Sequence, residues 1–139
     1  MTSKPSIDIV IPVLNEERAL PGTVATLREF QRNTIPNPCR IVIADNGSTD
    51  STPEVAGRLS RDHERVGFVR LEQRGRGRAL RRVWLESEAD ILGYMDIDLS
   101  TDLAAIPLLV SAIDGGGFDI AIGSRLAKGA TVVGRSPLR

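Results

Sequence analysis

The residues best suited to chemistry lie in Tyr94-Met95-Asp96-Ile97-Asp98-Leu99-Ser100, where an apolar run that begins at Ile91 ends in two carboxylates one residue apart. If the run is a strand, side chains alternate faces, so Asp96 and Asp98 point the same way while Ile97 turns toward the core. Two anions held that close repel each other. An oxygen-seeking divalent ion such as Mg²⁺ or Mn²⁺ relieves the repulsion and leaves positions open for phosphate oxygens. A pair of solvated loop aspartates is the plain alternative. What else the chain brings to the same place decides between them.

The elements that must position the pair are legible in the periodicity. Ile7 to Val13 and Arg40 to Ala44 are short, β-branched and apolar at nearly every position, the pattern of strands covered on both faces. Val66 to Leu71 and Ile91 to Met95 read as a third and fourth strand, and Asp119 to Ile122 as a fifth. Between them, Asn15 can cap a helix carrying Leu20, Val24 and Leu27 up to about Arg32. Ser51 and Glu54 make a capping box for a helix with Val55 and Leu59 inward. Arg78 to Glu88 is a third helix, with Leu80, Val83 and Trp84 on one side. A fourth, capped by Thr101 or Asp102, carries Leu103, Ile106, Leu109, Val110 and Ile113 and stops at Gly115-Gly116-Gly117.

Strands and helices that alternate without a hairpin signal predict an α/β fold: a doubly wound, mostly parallel sheet with helices on both faces. Ligands of such sheets sit outside the carboxyl ends of the strands. Every unusual segment falls at such an end: Pro12 to Glu16, the turn formers Asp45 to Asp50, the Arg/Gly segment Gln73 to Gly77, Asp96 with Asp98, and Arg125. They would share one rim, which favours the cation reading of the aspartates. Arg76 and Arg78 are the arginines nearest that rim, whereas Arg81 and Arg82 read as a solvated helix face. Gly75-x-Gly77 lacks the third glycine of a dinucleotide fingerprint.

Composition narrows the class. A chain of 139 residues that is 41% apolar supports one ordinary core, and 18 basic against 18 acidic residues give no net field for nucleic acid. The single cysteine, Cys39, fits a reducing cytoplasm, and no apolar run approaches the roughly 20 residues of a spanning helix. Membrane contact is therefore expected only at the periphery, through segments absent from this chain. His63 reads as solvated and Cys39 as inert packing.

Five segments carry a resemblance: IPVLNEE (Ile11 to Glu17), IADNGSTDST (Ile43 to Thr52), GRGRALR (Gly75 to Arg81), YMDIDLS (Tyr94 to Ser100) and AIGSR (Ala121 to Arg125). In this order and spacing they resemble the nucleotide-binding half of family 2 glycosyltransferases of the GT-A fold. Asp-x-Asp-Leu-Ser and Gly-Ser-Arg look most like the polyprenyl (dolichyl) phosphate mannose and glucose synthases. The resemblance implies transfer of a sugar, with inversion, from a nucleotide-diphosphate donor of the UDP-glucose or GDP-mannose type to an acceptor such as a polyprenyl phosphate. It further implies that Pro12, Leu14 and Glu16 line the pocket for base and ribose, that Ala44 and Asn46 continue it with Asp45 beside them, and that Arg76 borders it. Asp96, Ile97 and Asp98 would hold the ribose and a Mg²⁺ or Mn²⁺ ion, with Asp98 foremost as direct ligand, and Arg125 would reach the diphosphate.

Family members commonly carry two aspartates where this chain has Asp45-Asn46; asparagine keeps an acceptor, adds a donor and removes a charge. The resemblance covers residues 7 to about 126. It implies a nucleotide-sugar-binding domain over residues 1–126 and, in 127–139, an unsupported tail leading to an acceptor lobe. That tail contains no Asp or Glu, and Lys128, Arg135 and Arg139 are its only cations. Donor binding with little transfer by the chain alone is the expectation. Two other readings stay open: a non-catalytic nucleotide-binding fragment, and a haloacid-dehalogenase-type phosphatase, whose Asp-x-Asp-x-Thr motif usually lies on the first strand rather than the fourth.

Overall fold

The computed structural model describes residues 3–133. Strands β1 (Ile7–Val13), β2 (Cys39–Asn46), β3 (Val66–Leu71) and β4 (Ile91–Tyr94) alternate with helices α1 (Leu20–Thr34), α2 (Thr52–Asp62), α3 (Arg76–Glu86) and α4 (Ala105–Asp114). The strands form one parallel sheet in the order β3-β2-β1-β4. The chain winds outward from β1 through β2 to β3, then returns to the far side of β1. Right-handed crossovers therefore put α1 and α2 on one face and α3 on the other. The packing agrees, for α1 meets α2, α2 lies on β2 and β3, and α3 lies on β1 and β2.

Strands β1 and β2 are paired on both edges and covered on both faces, which is why Ile9 to Val13 and Ile41 to Ala44 read as apolar runs. Val10, Val42 and Ala44 face α3 and pack with Ala79, Leu80 and Val83. By alternation Ile9, Ile11, Ile41 and Ile43 turn to the other face, the side on which α1 and α2 bury Leu20, Val24, Leu27 and Ala56. Trp84 and Tyr94 meet at 6.1 Å between ring centroids at the edge of the α3 layer.

At the amino end of the sheet, Asp8 accepts bonds from Arg40 Nη2 (2.6 Å), Arg40 Nε (3.1 Å) and Ser87 Oγ (2.6 Å). Burial raises the Asp8 carboxyl, but these bonds outweigh it and hold the group below its ordinary value. Beside it the buried Cys39 thiol is pushed up to about 11, chiefly by desolvation and then by the Asp8 charge.

Several boundaries differ from expectation for identifiable reasons. Strand β2 runs on to Asn46 because Asp45 and Asn46 are still paired, opposite Arg70 and Leu71 of β3, and so lie in a strand rather than a turn. Helix α3 begins at Arg76, two residues early. Asn15 does not cap α1, whose N-cap is Ala19. The Ser51–Glu54 capping box does not form either; Ser51 N–H donates instead to Glu17 Oε2 at 2.8 Å, and Asp50 Oδ1 accepts from Thr52 N–H at 2.9 Å.

The described chain falls into two compact units, the first ending at Leu103 and the second beginning at Ala104. In the second unit α4 presents Ile106, Leu109, Val110 and Ile113 half-buried. The expected fifth strand is absent. Asp119 to Ile122 has no ladder partner among the described residues, and Ile120 and Ile122 are exposed, so the run lacks the neighbouring backbone a strand requires. Lys128 lies in a turn closed by Ala130 N–H on the Ala127 carbonyl, while Arg135 and Arg139 lie outside the described residues. No helix among the described residues is long and apolar enough to cross a membrane.

Candidate functional site

The return of the chain from β3 to β4 makes the β1–β4 pair a topological switch point, where the loops leaving adjacent strands diverge and open a crevice at their carboxyl ends. A cavity of about 420 Å³ lies there. Pro12, Val13, Leu14 and Glu16 line it from β1 and its loop, Asn46 from the end of β2, Arg76 from the start of α3, and Asp96, Ile97 and Asp98 from the segment after β4.

The aspartates reach the cavity by a route other than strand alternation. β4 ends at Tyr94, and Asp96 to Leu99 forms a turn in which Leu99 N–H approaches the Asp96 carbonyl at 3.4 Å and Leu99 takes φ +52°. Asp98 Oδ1 accepts from Ser100 N–H at 3.0 Å, which fixes its rotamer. The turn is tied down twice. Met95 N–H continues the ladder to the Val10 carbonyl at 3.0 Å, and the buried Thr23 of α1 donates its hydroxyl to the Ile97 carbonyl at 2.8 Å. Asp96 is half-exposed and ion-paired with Arg76, whose guanidinium lies 5.3 Å from the centre of the Tyr94 ring. Arg76 is thus held at the rim by a charge and an aromatic face. Arg78, by contrast, bonds to Gln73 in solvent.

Asp96 and Asp98 supply hard oxygen donors to one cavity. No group of three or more His, Cys, Asp or Glu side chains that could hold an ion occurs among the described residues. Two carboxylates fit an Mg²⁺ or Mn²⁺ ion that completes its shell with phosphate and water, and do not fit a closed structural zinc site.

Asn46 is nearly buried, and its Oδ1 accepts from Gly75 N–H at 2.6 Å. Asn46 lines the cavity, and with Oδ1 engaged by Gly75 its Nδ2 donors are left for other partners. Ala44 and Asp45 are fully buried and do not line it. Asp45 lies on the opposite face of β2, with Arg70 Nε 3.7 Å away and no hydrogen-bond partner on either oxygen among the described residues. Arg125 is exposed in the second unit.

Some residues that shape the site escaped the sequence reading. Val13 lines it, Arg70 faces Asp45, and Thr23 holds the aspartate turn. Of these only Arg70 left a signal, a charge interrupting an otherwise apolar strand.

The sequence model of "Glycosyl transferase family 2" matches residues 8–138. The chain belongs to that family. Glycosyltransferase AglD of Haloferax volcanii is 35% identical over 121 residues, covering 86% of this chain and 19% of that protein. The dolichol-phosphate mannosyltransferase of Pyrococcus furiosus is 32% identical over 126 residues, covering 91% of this chain and 35% of its own length. The chain thus spans well under two thirds of these relatives. Among solved structures, the Pyrobaculum calidifontis mannosyltransferase PcManGT, in complex with GDP-Man and Mn²⁺, aligns with a TM-score of 0.59 at 24% identity over 70% of this chain and 28% of that one. Glucosyl-3-phosphoglycerate synthase of Mycobacterium tuberculosis, with Mn²⁺, UDP and glucosyl-3-phosphoglycerate, aligns with a TM-score of 0.61 at 24% identity over 80% of this chain and 40% of that one. These likenesses establish the GT-A-type fold. Family membership also removes the phosphatase reading.

Proposed function

We propose that this glycosyltransferase domain seats the nucleotide diphosphate of a sugar donor, with a divalent ion on Asp96 and Asp98, for transfer to a lipid-phosphate acceptor. One observation carries the reading: both aspartates, Arg76, Glu16 and Asn46 open onto a single cavity at the β1–β4 switch point. Pro12 and Leu14 supply apolar wall for base and ribose, and the Asn46 amide donates to a base carbonyl. Asp45, behind the wall, holds the Arg70 guanidinium by charge. Arg76, released from Asp96, is placed to follow phosphate charge.

A divalent cation on these carboxylates would supply charge neutralisation for the departing diphosphate. The acceptor oxygen approaches the anomeric carbon from the side opposite the nucleotide, so configuration inverts; a phosphate acceptor is already ionised and needs no base. The polyprenyl phosphate class is supported by the resemblance to the Pyrococcus furiosus enzyme. Such an acceptor would bring the domain to the cytoplasmic membrane surface.

The test is incubation of the chain with UDP-glucose or GDP-mannose, Mn²⁺ and a polyprenyl phosphate in detergent. Acceptor-dependent release of nucleoside diphosphate, lost in Asp98→Ala, supports the reading. Binding without release would make the chain a nucleotide-binding domain alone. Neither binding nor release with any donor would overturn it.

A further inference from the structure

The first and second rim loops are joined by a reciprocal set of bonds. Three successive amides of the β1–α1 loop donate to side chains of the β2–α2 loop and of Thr52, the first residue of α2: Asn15 N–H to Ser48 Oγ at 2.8 Å, Glu16 N–H to Thr52 Oγ1 at 2.8 Å, and Glu17 N–H to Asp50 Oδ2 at 3.4 Å. Three successive amides of the second loop donate back: Thr49 N–H to Asn15 Oδ1 at 2.8 Å, Asp50 N–H to the same oxygen at 3.3 Å, and Ser51 N–H to Glu17 Oε2 at 2.8 Å. Ser48 and Thr52 are buried, the latter completely. A buried hydroxyl is retained in a packed layer only where its bonds repay desolvation, and here they are spent on the backbone of the other loop.

The geometry points to Asn15, Ser48 and Thr52 as positioning residues that lock these loops into one body and thereby preset the cavity for nucleotide, a role that rests on the nucleotide reading of that cavity. Leu14 and Glu16 line the cavity, but Asn15, Ser48 and Thr52 do not. Asn15 lies at φ +53°, in the left-handed region that asparagine tolerates better than most side chains. That conformation turns the chain between Leu14 and Glu16, which both face the cavity. The turn is kept by the bonds on either side of it, since Ser48 and Thr52 hold the amides of residues 15 and 16. Without them the loop would sample other conformations and a ligand would have to order it on binding.

The experiment measures Mn²⁺-dependent UDP and GDP affinity by calorimetry, well below the melting temperature, and amide hydrogen exchange at residues 15–17 and 49–51. Each net bond is worth about a 5-fold change. Ser48→Ala and Thr52→Val should each weaken nucleotide binding about 5-fold and speed exchange of the amide they hold, while Thr52→Ser restores both. Asn15→Gly keeps the left-handed turn but loses the accepted bonds, so it should bind more weakly than Asn15→Asp, which keeps them. Should Thr52→Val fail to fold, the Asn15 pair and Ser48→Ala decide the matter. Wild-type affinity in the folded Ser48→Ala and Asn15→Gly variants would overturn the inference. If the wild type binds no nucleotide, the parent reading fails, and slow exchange at these amides, accelerated by Ser48→Ala, would still support the lock, whereas unchanged exchange would overturn it.

Discussion

Replacing Thr23 by valine probes how α1 holds the aspartate turn. Threonine and valine have nearly the same shape, so the change removes one donor and leaves the packing of α1 in place. The bond lost is 2.8 Å long and joins residues 74 apart in sequence. A net hydrogen bond of this kind contributes about 1 kcal/mol, and the half-buried Ile97 carbonyl can regain water, so the fold should lose about 0.5–1.5 kcal/mol. The Asp96–Asp98 turn would still be joined to β1 through Met95 and would lose its tether to α1. Ordering it again on binding should weaken Mn²⁺-dependent nucleotide affinity measurably, by roughly 2-fold to 5-fold, up to the equivalent of that same bond. Urea denaturation and calorimetry at 25 °C measure the two quantities. Thr23→Ser keeps the hydroxyl and controls for the methyl group. A valine variant that loses stability but binds nucleotide as tightly as the serine variant would refute the reasoning, because the bond would then hold the fold and not the site.

Further outcomes follow from single residues. Asn46→Asp keeps the acceptor for Gly75 N–H but replaces the cavity-facing donor with negative charge, so the ranking of UDP, GDP, CDP and ADP in a thermal-shift panel should change; an unchanged ranking would mean the side chain does not touch the base. Because the folded-state pKa of Asp8 is depressed, its contribution is full above the unfolded value and fades as pH falls through the lower folded one. Asp8→Asn should therefore cost about 2 kcal/mol at pH 7 and flatten the loss of stability below about pH 4, measured by urea denaturation across that range. With its thiol near 11, Cys39 should react with iodoacetamide at pH 8 far more slowly in the folded chain than in urea, and equal rates would show that the residue is accessible.

The central strands were legible because burial on both faces selects apolar residues, at every position of Ile41 to Ala44 and at every position but Asp8 of Ile7 to Val13. The convergence of the segments after β1, β2, β3 and β4 was legible too, since a parallel sheet puts its strands' carboxyl ends on one side; Arg125, expected after a fifth strand, is not among the residues lining the cavity. Less legible was anything that depends on a distant partner. Asn15 has the composition of a cap, yet its oxygen serves Thr49 and Asp50 on another loop. Asp45 and Asn46 have the composition of a turn, yet flanking strands keep them in the ladder. Asp119 to Ile122 has the composition of a strand, and no strand among the described residues pairs with it. Local propensity cannot register a tertiary partner, and all three differences have that origin.

If Asp96 and Asp98 hold a divalent ion through which a nucleotide diphosphate is bound, nucleotide affinity must depend on both the metal and the carboxylates. Calorimetric titration of UDP and GDP into the chain with Mn²⁺, and again with the metal chelated, tests it most directly. The expected result is binding of at least one nucleotide with Mn²⁺, loss of at least about tenfold in affinity on chelation, and the same loss in Asp98→Ala with metal present. Equal affinity under all three conditions would contradict it.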